Sequence, residues 1–376
     1  MSCYELQAKS GRARAGILTT AHGKIETPVF MPVGTQATVK ALTPEQVSDI
    51  GFKLILGNTY HLMLQPGDDI VQEAGGLHKF MNWPGAILTD SGGFQVMSQS
   101  SLREITEEGV EFKSYLDGSK HFLSPELAIE TQQKLGADII MVLDICTKYP
   151  MDQKRTRHFT EITHRWAKRS LDAKTRQDQL MFAIVQGGFD LPDRAWSADV
   201  LTSMDFDGFA VGSLSVGEPL EVAGEILDVV VPRLPQDKPR YLMGVGDPAG
   251  IIQGISEGID MFDCVLPTRL GRNGAVMVEE GAVNITRSKW ARDFSPIDPN
   301  CTCYTCRNYS KAYLRHLFKS HEMLAATLAT IHNIHFLKTV VDGARKAIFD
   351  GNFNEYKNRW MEWRIGQNGD SGETDQ

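Results

Sequence analysis

A chain of 376 residues, 42% hydrophobic and 23% charged, carries enough apolar material for a large core. Its length, above ~250 residues, points to several units or to one barrel with insertions. The net charge of -8 argues against wholesale coating of nucleic acid, although a local basic face stays open. No apolar run approaches the ~20 residues of a membrane helix and 1–16 lacks a signal-peptide apolar region, so no membrane partner is expected. Six cysteines, three of them scattered (Cys3, Cys146, Cys264), make a poor disulfide framework, and a reducing, cytoplasmic setting follows.

Taken in chain order, eight short apolar runs read as strands: 28–33, 53–56, 86–89, 138–143, 181–185, 208–211, 240–245 and 259–265. Between them lie helix signals. Thr43-Pro-Glu-Gln46 has an N-cap threonine, a first-turn proline and a capping-box glutamine. Ser124-Pro-Glu-Leu127 opens the same way and Gly136 stops it. Residues 152–175 are long and amphipathic, and 247–258 form a compact turn and helix. Strands and helices alternating at this spacing imply a parallel sheet, and eight such units suggest a closed (β/α)8 TIM barrel with an N-terminal extension. An open doubly wound sheet is the alternative, but no GxGxxG follows an early strand.

Two insertions interrupt the alternation. Residues 109–123 alternate polar with apolar around Asp117-Gly118, the signal of a β-hairpin. The division predicted is barrel strands within 1–269, a zinc-binding insertion at 270–335, the last barrel helices at 336–365 and a disordered polar tail at 366–376. Polar residues gather at or just past the strand ends: Asn58, Asp90-Ser91-Gly92-Gly93, Asp144, Gln186, Ser213 to Glu218, Gly244 and Asp263. Any one reads as a cap or turn former, but so many equivalent places on one barrel rim read as a site. Asp263 is set in an apolar run, with Arg269 and Arg272 on the loop beyond it. From that stretch alone, a structural carboxylate paired with an arginine and a functional one are equally open.

Cys301, Cys303 and Cys306 lie within six residues, and His332 follows on a hydrophobic helix. Three thiolates and an imidazole make a closed Cys3His site for one structural zinc ion. His335, one turn on, is the competing ligand. Arg307, Lys311, Arg315 and Lys319 recur at every fourth position and read as one basic stripe on a helix. Such a stripe is usually a solvated face; beside a metal module and two arginines it also suits phosphate.

Several longer motifs carry a resemblance: Asp90-Ser-Gly-Gly-Phe-Gln-Val, Val185-Gln-Gly-Gly, Gly212-Ser-Leu-Ser-Val-Gly-Glu218, Met243-Gly-Val-Gly, Met261-Phe-Asp-Cys-Val-Leu-Pro-Thr-Arg269 and the cysteine–histidine set. Together they resemble the bacterial tRNA-guanine transglycosylases, from residue 30 to about residue 349. The resemblance implies a (β/α)8 barrel with an inserted zinc subdomain. It also implies exchange of the wobble guanine of tRNAs with a GUN anticodon for 7-aminomethyl-7-deazaguanine, a step of queuosine biosynthesis. Position by position it makes Asp263 the nucleophile on ribose C1′ and Asp90 the proton acceptor and donor. Asp144 and Gln186, with the backbone near Ser213 and Leu214, become readers of the purine edge, alongside Ser91, Gln95 and Gly244. Phe94 and Met243 become the pair sandwiching the base, and Glu218 the acid near the aminomethyl group. Arg269 and Arg272 become anticodon-loop contacts, with Lys311 and Arg315 added from the basic stripe. Phe80, Tyr309, Tyr313 and His316 resemble an aromatic homodimer patch. Two positions depart from the bacterial pattern, Ser213 for a usual glycine and Ile145 for a common glutamate. Ser213 is expected to narrow the pocket and Ile145 to remove an acid from its wall, so queuine as the incoming base is the alternative. A non-catalytic tRNA-binding subunit is the other reading, and intact Asp90 and Asp263 speak against it.

Overall fold

The computed structural model describes residues 2–99, 103–147, 151–214 and 220–363. An antiparallel sheet comes first: β1 (Tyr4–Ser10), β2 (Ala13–Thr20) and β3 (Gly23–Thr27). The barrel then begins with β4 (Val29–Gly34), β5 (Leu54–Gly57) and β6 (Ala86–Thr89). A second small antiparallel sheet follows, β7 (Arg103–Ile105), β8 (Val110–Lys113) and β9 (Lys120–Leu123). Strands β10 (Ile139–Met141), β11 (Leu180–Val185), β12 (Gly208–Val211), β13 (Arg240–Leu242) and β14 (Met261–Cys264) complete the barrel, and β15 (Ala275–Val278) with β16 (Gly281–Asn284) forms a ribbon. The eight barrel strands pair in the closed order β10-β11-β12-β13-β14-β4-β5-β6, every pairing parallel. All eight predicted runs supply a strand. Their residues are buried almost throughout, as a parallel sheet covered on its outer face by helices requires.

The cap signals act where they stand. Thr43 closes a full capping box on the helix Pro44–Asp49, and Ser124 accepts from Leu127 N at the head of the helix Pro125–Leu135. Gly136 and Gly258 end their helices at positive φ, 74° and 96°, where a side chain would be strained.

The N-terminal sheet lies over the N-terminal ends of the strands, tied there by two buried carboxylates. Asp260, just before β14, accepts from Arg14 Nε (2.9 Å), Tyr4 OH (2.8 Å) and Arg240 N (2.8 Å). Asp138, just before β10, accepts from His22 N and Nδ1, His78 Nε2 and Ile87 N, all within 3.0 Å.

The hairpin expected at 109–123 is present: β8 and β9 pair antiparallel across a six-residue bend, Ser114 to Ser119, where Ser114 N donates to Ser119 O (2.8 Å), and β7 adds a third strand. Two expectations are corrected. The basic stripe is not on one helix. Ser310 accepts from Tyr313 N and starts a new helix, Lys311–Lys319, leaving Arg307 on the preceding helix Tyr304–Asn308. Nor does an element boundary fall between 335 and 336: a single helix, Met323–Asp350, carries His332 and runs on to pack against the barrel.

Candidate active site

The C-terminal ends of the barrel strands open into a cavity of about 810 Å³. Among the residues proposed from sequence, Asp90, Ser91, Phe94, Gln95, Asp144, Ser213, Leu214, Met243, Gly244, Asp263 and Arg269 all line it. Gln186 stands behind this wall and donates from Nε2 to Asp144 Oδ2 (2.6 Å). Their positions follow from strand geometry: each lies at the end of a barrel strand or in the loop or short helix that follows it, so the closed sheet converts distant sequence positions into one ring.

Asp90 follows β6. Its Oδ1 accepts from Thr59 N (2.8 Å), and its Oδ2 accepts from Asn58 Nδ2 (2.5 Å) and Gln95 Nε2 (2.9 Å). Burial pushes its pKa up to about 6, opposed by these hydrogen bonds and assisted by the nearby charge of Asp263. Asp144, held by Ser91 Oγ (3.2 Å) and Gln186, is pushed up to about 6 by burial as well. Asp263 differs. Both of its donors, Tyr241 OH (2.5 Å) and Gly244 N (2.9 Å), reach Oδ1, so Oδ2 has no donor among the described residues. Burial raises this carboxyl above the usual range against both bonds. The result is an oriented carboxylate with one oxygen committed to the protein and one available.

Two residues missed by the sequence reading support this ring. Tyr241, fully buried in β13, aims its hydroxyl at Asp263. A signal existed, since a tyrosine in a barrel strand needs a partner for its hydroxyl. Arg194, also fully buried, donates to the carbonyls of Gly188 (2.7 Å), Val185 (2.8 Å) and Gly212 (2.8 Å), pinning the loops after β11 and β12. Nothing local marks that arginine. Gly212 is required by close approach, because a Cβ there would lie 2.5 Å from Gln186 Nε2.

The two departures separate. Ser213 lines the cavity in a left-handed conformation (φ 56°), its Oγ accepting from Thr147 N (2.9 Å) and donating to Cys146 Sγ (3.3 Å). Ile145 is not on the wall. It is buried in a cluster with Phe159 and Trp166, because alternation along the chain after β10 turns Asp144 inward and its neighbour outward. No loss of a wall acid follows from it. Glu218 lies outside the described residues.

Away from the rim, Cys301, Cys303, Cys306 and His332 converge as a group able to hold a metal ion. His332 Nδ1 lies 3.7, 3.7 and 3.3 Å from their sulfurs, while its Nε2 donates to Met277 O (2.7 Å). That bond fixes the tautomer and leaves the Nδ1 lone pair facing the thiols, as a ligand histidine requires. His335 reaches Cys301 alone, at 3.7 Å. The basic residues diverge. Arg269 is exposed at the cavity mouth and Arg272 follows on the same short helix, Leu266–Arg272. Lys311 is committed to Asp293 Oδ2 (3.2 Å) and Ser295 Oγ (2.9 Å), and Arg315 Nε donates to Arg287 O (2.9 Å). Tyr309 stacks on Tyr313, His316 tilts against Tyr313, and Phe80 is exposed on the separate helix Leu77–Phe80.

Residues 9–364 match the family model described as queuine tRNA-ribosyltransferase. The chain is 55% identical over 358 residues to the queuine tRNA-ribosyltransferase of Desulforamulus reducens, covering 95% of this chain and 96% of that one. It is 56% identical over 361 residues to that of Caldanaerobacter subterraneus (95% and 96% covered), and 56% identical over 351 residues to that of Geobacillus kaustophilus (93% and 92%).

Proposed function

The chain belongs to the queuine tRNA-ribosyltransferase family, and we propose that it works as a tRNA-guanine transglycosylase by double displacement on Asp263. The observation that carries the reading is that Asp90 and Asp263, at the ends of β6 and β14, face one cavity whose wall also holds Asp144. Oδ2 of Asp263 attacks ribose C1′ as the C1′–N9 bond to guanine breaks, giving a ribosyl ester and preserving configuration after a second attack. Asp90, whose pKa burial raises to about 6, gives a proton to the departing guanine and takes one from the incoming base. Asp144 accepts from the N–H and exocyclic amine of the purine, and Gln186 serves that reading from behind by donating to Asp144 Oδ2 (2.6 Å). Phe94 and Met243 sandwich the base, Arg269 and Arg272 hold the flanking anticodon nucleotides, and the aromatic patch of Phe80, Tyr309, Tyr313 and His316 pairs two copies. The wobble guanine must be unstacked to reach the cavity, which suits a GUN anticodon loop.

The Cys3His group suits zinc, since three soft thiolates and a tautomer-fixed imidazole complete a tetrahedron with no place for water. The ion's part is structural, tying the loop of Cys301 to the helix Met323–Asp350. Metal analysis is expected to find about one zinc per chain. The deciding experiment offers guanine, 7-aminomethyl-7-deazaguanine and queuine in competition to a GUN-anticodon tRNA. Preferred incorporation of the aminomethyl base supports the reading, queuine incorporation replaces it with salvage, and binding of tRNA without any exchange refutes it.

A further inference from the structure

We infer that Tyr115 and Leu116 form a shelf on which a base of the RNA strand beside the reacting nucleotide stacks, an inference that rests on the RNA-acting reading of the cavity. Both sit on the bend between β8 and β9, and both line the cavity while staying 45% and 47% exposed. The rest of that inserted sheet is conventionally packed: Val110, Phe112 and Leu123 are buried against Trp166. Among the described residues, three large apolar side chains of the sheet stay exposed, and of these Tyr115 and Leu116 reach the cavity while Phe122 of β9 does not. The proposed chemistry uses neither residue, because the carboxylates come from the ends of β6, β10 and β14.

The tyrosine is held in place. Its hydroxyl is 3.1 Å from His61 Nδ1, and its ring lies at 29° to that of the fully buried Tyr60, 6.0 Å between centroids. The bend is fastened from within, Leu116 N donating to Ser114 Oγ (3.1 Å) and Ser119 N to Asp117 Oδ1 (3.1 Å). An exposed aromatic fixed this way loses little entropy when something stacks on it. Across the mouth the chemistry changes. Arg269 and Arg272 lie on the short helix after β14, Arg269 lining the cavity, and the sheet of Tyr115 enters between β6 and β10, three to four strands round the barrel from β14. A cationic wall facing an aromatic and apolar wall is what a single strand takes, phosphates to one side and bases to the other. A free purine supplies no phosphate for the cationic wall, so the occupant we commit to is the polynucleotide.

The test uses the full zinc-loaded chain and three variants, Tyr115→Ala, Tyr115→Leu and Tyr115→Phe. It reads KM for tRNA, KM for free guanine, and fluorescence-anisotropy Kd for a stem-loop RNA with a guanine in its loop. Tyr115→Ala should raise KM for tRNA and the RNA Kd about tenfold while KM for guanine moves less than about twofold. Tyr115→Leu, which keeps bulk and loses the π face, should follow it if the alanine variant folds poorly. Tyr115→Phe, which loses only the His61 bond, should stay within about threefold. Unchanged KM for tRNA and RNA Kd in both the alanine and leucine variants overturns the shelf. A shift confined to KM for guanine also overturns it, assigning the wall to the free base. If the wild-type chain exchanges no guanine yet its RNA Kd tracks Tyr115, the transglycosylase reading falls and the shelf stands.

Discussion

Both ends of this barrel hold buried aspartates, and they are used oppositely. At the N-terminal end, Asp138 and Asp260 give their oxygens to backbone amides and to fixed side chains of the N-terminal sheet and its neighbours. Burial alone would raise Asp138, but hydrogen bonds from His78, Ile87 and His22 hold it below the usual carboxylate range. Burial still lifts Asp260 in spite of Arg14 beside it, and its neighbours leave it no free oxygen. At the C-terminal end the same residue type is left with capacity: Asp263 has one oxygen without a donor, and Gln95 and Gln186 keep buried amide oxygens without partners among the described residues. A satisfied carboxylate holds elements together, whereas an unsatisfied one beside a cavity is a group awaiting a ligand. Burial by itself does not tell Asp263 from Asp138 and Asp260; its donor inventory does, whereas Asp90 and Asp144, with donors on both oxygens, are set apart by facing the cavity.

Substitution at each end should break or sharpen that contrast. The largest effect expected is from Asp263→Ala, a loss of guanine exchange of at least ~1000-fold, or ~4 kcal/mol of barrier, with no fall in unfolding free energy. Radiolabelled guanine exchange and denaturant titration check it together, and retained exchange would remove Asp263 as nucleophile. Asp260→Ala should show the reverse. Leaving Arg14 buried without its carboxylate costs about 3–5 kcal/mol in unfolding free energy, while exchange per folded molecule stays near wild type.

Asp144→Asn should sharpen the contrast by stabilising the protein. Burial raises the folded pKa of Asp144 from 3.8 to about 6, so the folded state binds the extra proton between those values. That contribution is complete below 3.8 and is lost as pH rises through 6, leaving a cost at neutral pH that an amide does not carry. The variant is therefore expected to gain about 1–3 kcal/mol at pH 7, to lose stability less steeply between pH 4 and 6, and to bind guanine poorly. A destabilised Asp144→Asn would place that acid with Asp138 and Asp260 instead. The smallest effect concerns salt. Arg269→Ala should lower the slope of log Kd for tRNA against log salt by about one, and Lys311→Ala, whose ammonium is already held by Asp293, by less.

Much of the rim was legible because its signals are local. Asp90, Asp144 and Asp263 each end an apolar run, and an acid at the end of a buried strand is recognisable without knowing what it faces. Ile145 shows where such reading stops: its neighbour was placed correctly at the rim, but only the register of the chain after β10 decides which of the two turns inward. Arg194 was invisible for a related reason, and Tyr241 showed only that its hydroxyl needed a partner, since the carbonyl and the carboxylate they meet lie 18 and 22 residues away.

By itself the sequence determined the eight strands, the caps that space them, the three thiols with their histidine, and the acids at the strand ends, because each depends on a few adjacent residues and on periodicities of two or 3.6. Only the tertiary structure decided which oxygen of Asp263 stays free, which aspartates are satisfied, where Ile145 points, and that one helix joins the metal group to the barrel. Those outcomes depend on side chains brought together by closure of the sheet, and closure sums contacts across the whole chain that no short stretch contains.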